Sequence, residues 1–101
     1  MRATVRPSSG NVFKDLGFPP REAENLRVRA ALMAALRKLI QDRGLTQAAA
    51  AGVLGVTQPR VSDLVRGRIE LFSIDALVSM LANAGLRVRL IVSGARRRGV
   101  A

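Results

Sequence analysis

Two short apolar segments joined by the sequence LGVT (54–57) constrain the fold of this chain more than any other feature. Ala51 and Gly55 stand four residues apart, so a small side chain and a conformationally free backbone position fall where two helices would meet. The apolar residues Leu54 and Val56 flank this glycine. Such an arrangement supplies a close backbone approach, a sharp turn and apolar contacts to a core. The segment therefore predicts a helix-turn-helix.

The helix after this turn has one apolar and one polar face. Its apolar residues recur at helical spacing and are predicted to face the core: Val61, Leu64 and Val65. Pro59 stands near the helix start, where a missing N–H costs least. A proline nevertheless disfavours helical backbone in the residue before it. Two starts are therefore open: Thr57 caps a loosened first turn, or Gln58 is itself the cap.

A long helix is predicted over 21–43. Pro20 suits its first turn and Gly44 its end. Its apolar residues form one stripe at steps of three and four, made of Leu32, Met33, Leu36, Leu39 and Ile40.

Two shorter helices are bounded by local capping signals. Thr46 is predicted to cap a helix over 47–54, and Ser73 to cap a helix that ends at Gly85. The inward face predicted for this last helix consists of Ile74, Leu77, Val78 and Leu81.

Composition favours small helices and a polyanionic partner. Hydrophobic residues make up 49% of the 101 residues but aromatic residues only 3%, which suits closely packed helices better than a β-sandwich. Lys and Arg number 17 against 7 Asp and Glu, giving a formal net charge of +10. This charge favours a nucleic acid, because neutralising phosphates releases counterions. Most of the cations are arginines, whose planar guanidinium suits phosphates and guanine edges.

Several classes of function are disfavoured by what the chain lacks. Without Cys or His it can form no disulfide and no thiolate or imidazole metal site, and it lacks the commonest general base. The carboxylates are scattered and no motif surrounds a serine, so we predict no enzyme activity, no catalytic residue, no metal and no cofactor. No apolar run is long enough for a membrane span, and MRATVRPSSG lacks the apolar core of a signal peptide. These features predict a cytoplasmic protein.

The sequence LRVRLIVS (86–93) changes from helical spacing to a two-residue repeat, which predicts a strand. A single strand leaves backbone groups unpaired along its edges. We expect the same strand of a second copy to pair with it across a two-fold axis. The residues added to a shared dimer interface would be Val88, Leu90 and Val92. Pairing with ATVR (3–6) is an alternative, and a dimer interface on Val28 and Leu32 is another.

The chain therefore divides into four segments. Residues 1–19 form a partly irregular arm, and 20–85 form the helical domain with the helix-turn-helix. Residues 86–93 form the dimerisation strand, and 94–101 form a basic tail.

Residues LTQAAAAGVLGVTQPRVSDLVRGR (45–68) resemble the helix-turn-helix of Xre-type, lambda-repressor-like regulators. Over about 11–92 the chain resembles the HigA-like antitoxins, with an NVFKDLG arm, a TQPRVSDLVRGR recognition helix and a short final strand. The resemblance implies a mainly α, lambda-repressor-like bundle of four to five helices that represses transcription as a homodimer. It also implies a partner toxin, typically an RNase. Arm residues available to such a partner are Val12, Phe13, Leu16 and Phe18. An arm tucked against its own domain is equally open.

Double-stranded DNA, in the form of a palindromic operator, is the expected ligand of the recognition helix. Gln58 can bond bidentately to adenine, and Ser62 can bond a base edge or a phosphate. The resemblance implies a phosphate contact for Gln47, at the start of the preceding helix. The full set of predicted DNA-binding residues is Gln47, Thr57, Gln58, Pro59, Arg60, Ser62, Asp63, Arg66 and Arg68.

Asp63 is the exception in this basic set. Its carboxylate can accept from cytosine N4. Alternatively, it holds Arg60, Arg66 or another arginine in place through a salt bridge, and we favour this second role because phosphates would repel a carboxylate.

Three other functions compete with a repressor and antitoxin. The chain could be a stand-alone Xre-type regulator without a toxin, or a protein-interaction module with weak DNA binding. RNA binding is disfavoured because Trp and Tyr are absent, and the three Phe have plausible packing roles.

Overall fold

The computed structural model describes residues 11–94, in which side-chain caps precede four of the five α-helices. The elements are α1 (Val12–Asp15), α2 (Pro20–Asp42), α3 (Gln47–Leu54), α4 (Gln58–Val65), a 3₁₀ turn (Ile69–Leu71) and α5 (Ile74–Asn83). The Oγ1 of Thr46 accepts from the Ala49 N–H, and the Oγ of Ser73 accepts from the Ala76 N–H, both at 3.1 Å. These are the caps expected from the sequence.

The helix ends are equally local. The N–H groups of Leu45, Val56, Arg68 and Leu86 each donate to a carbonyl five residues earlier, at 2.9–3.0 Å. This backbone bond closes the last turn of α2, α3, α4 and α5, and it satisfies a carbonyl that the helix would otherwise leave without a partner. The four predicted helices therefore end within a residue or two of their expected bounds.

The core lies between α2 and the shorter helices. α5 packs against α2 and α3, and α3 packs against α4. The whole predicted stripe of α2, from Leu32 to Ile40, is buried, which confirms that part of the sequence analysis. The described residues completely removed from solvent are Ala23, Leu36, Ala50, Leu54, Val61, Leu64 and Leu77.

Two residues predicted to face inward are partly exposed. Val65 is 39% exposed because α4 ends there, and Ile69 of the following turn packs against the core instead. Val78 is 38% exposed because α5 turns the stripe Leu77, Met80, Leu81 and Ala84 inward. Val78 is rotated about 100° from Leu77 and so falls beside this stripe.

The described part of the arm is ordered against the domain. It contains the single helical turn α1, whose N-cap Asn11 accepts from the Phe13 N–H. The Asn11 Nδ2 donates to the Ala23 carbonyl of α2 at 3.1 Å, and the rings of Phe13 and Phe18 meet edge to face at 6.1 Å. These contacts fix the arm beside the start of α2, while Val12 and Leu16 stay 60% and 70% exposed.

The predicted C-terminal strand is not formed within the described part of the single chain. Residues 87–94 carry no assigned secondary structure, and both the alternative partner ATVR (3–6) and the basic tail from residue 95 onward lie outside the described residues. Val88 packs against the core of its own chain, whereas Leu90 and Val92 are 80% and 93% exposed. Strand pairing thus stays a prediction, and Leu90 and Val92 rather than Val88 are available for it. In the alternative α2 interface, Leu32 is only 4% exposed.

Candidate nucleic-acid interface

The start of α4 settles which residue caps it. The Thr57 Oγ1 accepts from the Arg60 N–H, so Thr57 is the cap and Gln58 is the first helical residue. This bond is 3.4 Å long, against 3.1 Å for the corresponding bonds of Thr46 and Ser73. The longer bond fits a first turn loosened by Pro59, which disfavours helical backbone at Gln58. Gln58 and Pro59 are both exposed at the tip of the helix.

The face of α4 opposite Val61 and Leu64 is the surface that can meet a ligand. A helix that buries these two residues turns Pro59, Ser62, Asp63 and Arg66 away from the core. Pro59 and Arg66 are exposed, and Ser62 and Asp63 are half-buried. Small and polar residues thus line a convex face whose width suits a DNA major groove.

The helix α3 packs against α4, and its first turn is the second part of the candidate interface. Gln47 is its first residue and is exposed, directly after the cap Thr46. The first N–H groups of a helix lack partners within the helix and favour an anion such as phosphate. Gln47 is therefore placed where the resemblance implied a phosphate contact.

The turn between α3 and α4 is held by a residue that the sequence analysis did not identify. Asn83 of α5 donates from Nδ2 to the Leu54 carbonyl at 2.9 Å. Gly55 has a φ of 71°, and a Cβ there would lie 2.6 Å from that Nδ2. Glycine is thus required both by the left-handed backbone and by the close approach of Asn83. The helical period gives no signal of this contact, which joins residues 29 apart in the chain.

Arg60 does not extend outward with the polar face of α4. Its Nη1 donates to the Leu71 carbonyl at 2.9 Å, and its Cζ lies 4.1 Å from the centroid of the Phe72 ring. Because Phe72 is only 1% exposed, the guanidinium is stacked on the edge of the core. The predicted DNA contact of Arg60 is therefore replaced, in the free protein, by contacts within the domain.

Two cations remain near the C-terminal end of α4. Arg66 is exposed and forms no side-chain hydrogen bond to any described residue. Arg68 donates from Nε to Glu70 at 3.2 Å, an exposed pair that water screens. The pKa of the Glu70 carboxyl lies below its usual value, first because its own backbone N–H donates to it and then because of Arg68. Arg66 is the cation more readily available to a phosphate.

A third cation reaches this end from α2. The Arg37 guanidinium lies beside Gly67, 3.7 Å from the position that a Cβ there would occupy. Arg37 is exposed and forms no salt bridge within the described residues. The sequence shows the charge of Arg37 but not its proximity to Gly67, because only the packing of α2 against α4 brings these two residues together.

Asp63 forms no salt bridge with any described arginine, so the pairing favoured from the sequence is not formed with Arg60, Arg66 or Arg68 in the free protein. Arg60 is turned to Leu71, and Arg68 to Glu70. Asp63 instead lies half-buried on the outward face of α4, next to Ser62. Its remaining predicted role is to accept a hydrogen bond from a base, which needs no arginine partner.

Comparison with known proteins supports this architecture. A family model described as a helix-turn-helix domain matches residues 12–93. A solved structure, provisionally assigned to the XRE family of transcriptional regulators, is 36% identical with a TM-score of 0.69. That similarity covers 79% of this chain and 91% of the other. No curated protein matches the chain. No helix within residues 11–94 is long and apolar enough to cross a membrane.

Proposed function

The chain belongs to the helix-turn-helix family of Xre-type, DNA-binding transcriptional regulators, and we propose that it represses transcription by binding a palindromic operator as a homodimer. The observation that carries the proposal is the outward face of α4, where Ser62, Asp63 and Arg66 lie opposite the buried Val61 and Leu64, with Gln58 exposed at the helix tip. This face offers donors and acceptors for base edges, with Arg66 for a phosphate. The activity is binding, in the cytoplasm, and needs no catalytic residue, metal or cofactor.

Gln58 is assigned the main base contact because it is exposed at the tip of α4. Gln58→Ala is expected to weaken binding to the operator by about 1–3 kcal/mol, the value of a bidentate pair with adenine. Binding to random DNA should hardly change, since that binding depends on phosphates. The operator is first selected from a pool of random duplexes with the wild-type protein, and both affinities are then measured at one salt concentration.

The matched control is Gln41→Ala, because Gln41 is an exposed glutamine of α2 that precedes the helix-turn-helix. It should change neither affinity. If wild-type protein selects no sequence, or binds selected and random duplexes equally, it is not a sequence-specific repressor. An interaction module with weak DNA binding would then be the better description. If Gln58→Ala weakens both duplexes equally, Gln58 contacts the backbone rather than a base.

We further propose that the regulator is an antitoxin whose arm binds the toxin. The supporting observation is that Asn11 bonds the arm to α2 and the Phe13–Phe18 contact closes the arm on itself, while Val12 and Leu16 stay largely exposed. An ordered pair of apolar side chains offers a partner area without the cost of ordering a flexible segment.

The antitoxin proposal is tested with the purified product of the reading frame beside this one. The double variant Val12→Asp, Leu16→Asp should bind that product at least about tenfold more weakly, because charges would enter an apolar contact. Its affinity for operator DNA should not change. Val78→Asp is the control, since Val78 is a partly exposed valine on α5. If the wild-type chain does not bind the neighbouring product, the stand-alone regulator is the correct alternative. If Val78→Asp weakened binding of the neighbouring product equally, the arm would not be the specific binding site for it.

A further inference from the structure

Arg60 lies on the recognition helix, yet its guanidinium folds back onto its own domain. It donates to the Leu71 carbonyl at 2.9 Å and stacks at 4.1 Å over Phe72, within the range of a favourable cation–π contact. We propose that Arg60 is a positioning residue, which sets the orientation of α4 in the DNA groove without itself contacting DNA. This inference rests on the proposed binding of an operator and adds to it the residue that fixes the geometry.

The segment that Arg60 contacts is also held by an arginine of α2. From α2, Arg29 donates through Nη1 to the carbonyls of Ile69 at 3.2 Å and Phe72 at 3.3 Å. The segment 69–72 is thus held by one arginine from α2 and by another from α4. We call these two side chains and the segment between them the arginine clasp. It connects the recognition helix to the longest helix of the domain through side chains rather than through the chain itself.

The clasp restricts rotation of α4 about its own axis. Arg29 holds the carbonyls of Ile69 and Phe72, on either side of Leu71, to α2, so α4 cannot roll far without breaking the hydrogen bond from Arg60 to the Leu71 carbonyl. A roll of about 10° would move a group roughly 5 Å from the helix axis by about 1 Å. That displacement exceeds the distance range of good hydrogen bonds, so base contacts of Gln58 would be lost first. Phosphate contacts, which act as charge interactions, would tolerate it better.

Lysine cannot replace arginine in the clasp. Only a planar guanidinium can lie flat on the Phe72 ring while one of its fixed N–H groups donates to a carbonyl in the same plane. Arg60→Lys keeps the positive charge but loses that geometry. If Arg60 is a positioning residue, Arg60→Lys should behave like Arg60→Ala. If Arg60 contacts a phosphate, Arg60→Lys should largely retain binding.

The experiment compares Arg60→Ala and Arg60→Lys with the matched variant Arg66→Ala, at a temperature where circular dichroism shows all three to be folded. Affinities for the selected operator and for a random duplex are measured over a series of salt concentrations. We expect both Arg60 variants to lower the ratio of operator to random affinity by about tenfold, the loss of one good base contact. Their salt slopes should equal that of the wild type.

Arg66→Ala should behave in the opposite way. It should weaken both duplexes by a similar factor and reduce the salt slope by about 0.9, as for one lost phosphate contact. A slope reduced by about 0.9 in Arg60→Ala, or a ratio restored by Arg60→Lys, would overturn the proposal. So would an unchanged ratio in both Arg60 variants.

Amide hydrogen exchange tests the clasp even if no operator is found. The N–H groups of Leu71 and Phe72 donate to Arg68 and Ile69 within the segment that the clasp holds. Both Arg60 variants should speed exchange at these two amides several-fold, whereas Arg66→Ala should not. Unchanged exchange in Arg60→Ala would show that Arg60 does not hold the segment. Failure to select an operator would, separately, reject only the proposed repressor function.

Discussion

Leu90→Pro is expected to leave the helical domain folded and to convert the proposed dimer to a monomer. Leu90, Ile91 and Val92 are 80–93% exposed and follow the last helix, so the substitution disturbs no described core contact. Proline lacks the N–H that a paired strand must donate, and it blocks pairing in the middle of a sheet. A monomer contacts one half-site only, so operator affinity should fall on the order of 10³-fold toward the affinity for random DNA. Sedimentation velocity and operator titration measure the two effects.

A chain shortened to end at Gly94 is the control, because it keeps Leu90 but loses the arginines at positions 96, 97 and 98. It should remain dimeric and lose some affinity for every duplex, with a shallower salt slope. If Leu90→Pro stays dimeric, the interface does not depend on this segment. The α2 alternative would then have to use Val28, because Leu32 is buried inside its own chain.

Phe72→Ala is expected to have the largest effect on stability. The ring is 1% exposed and is the largest of the fully buried side chains. Its removal should cost about 3–5 kcal/mol, as for other buried aromatic residues replaced by alanine. The Arg60 guanidinium would also lose the ring on which it is stacked. Domains of this kind hold only about 5–15 kcal/mol in total, so the variant should be close to unfolding at room temperature. Urea denaturation followed by circular dichroism measures the change.

Leu71→Ala provides a comparison at the neighbouring position. Leu71 is 42% exposed, and its clasp contact is made by its backbone carbonyl, which alanine retains. We expect it to lose no more than about 1 kcal/mol. If Phe72→Ala were as mild as Leu71→Ala, Phe72 would not be part of the core that joins α4 to α5.

The helix bounds were predictable because they are encoded locally. Thr46 and Ser73 each bond a backbone N–H three residues ahead, a pattern that is visible in the sequence alone, whereas the sequence left Thr57 and Gln58 both open as the cap of α4. The outward face of α4 was predictable for the same reason, since two buried residues fix the direction of all the others on a helix. Family membership was predictable from the same 24-residue segment, 45–68.

Contacts between distant segments were not predictable. Val65 and Val78 have the right chemistry for the core, but their exposure depends on where α4 ends and how α5 is rotated against α2. Arg60 and Asp63 were both assigned by helical position, yet Arg60 is turned inward by a carbonyl 11 residues away. The sequence pattern gave no indication of the contacts of Asn83 and Arg37, because each residue contacts a segment that is distant in the chain.

The local closure of the helix ends has a consequence for synthesis of the protein. Each of the helices α3 and α4 finds both its side-chain cap and its final backbone bond within its own residues and the few that flank them. Its length is therefore specified as soon as that stretch leaves the ribosome. Short helices are marginal in water by themselves, and Phe72 and Leu77 of the core come later in the chain. The boundaries of α3 and α4 can thus be defined during synthesis well before these helices are stable. They become stable only when α5 has been made and packs against α2 and α3.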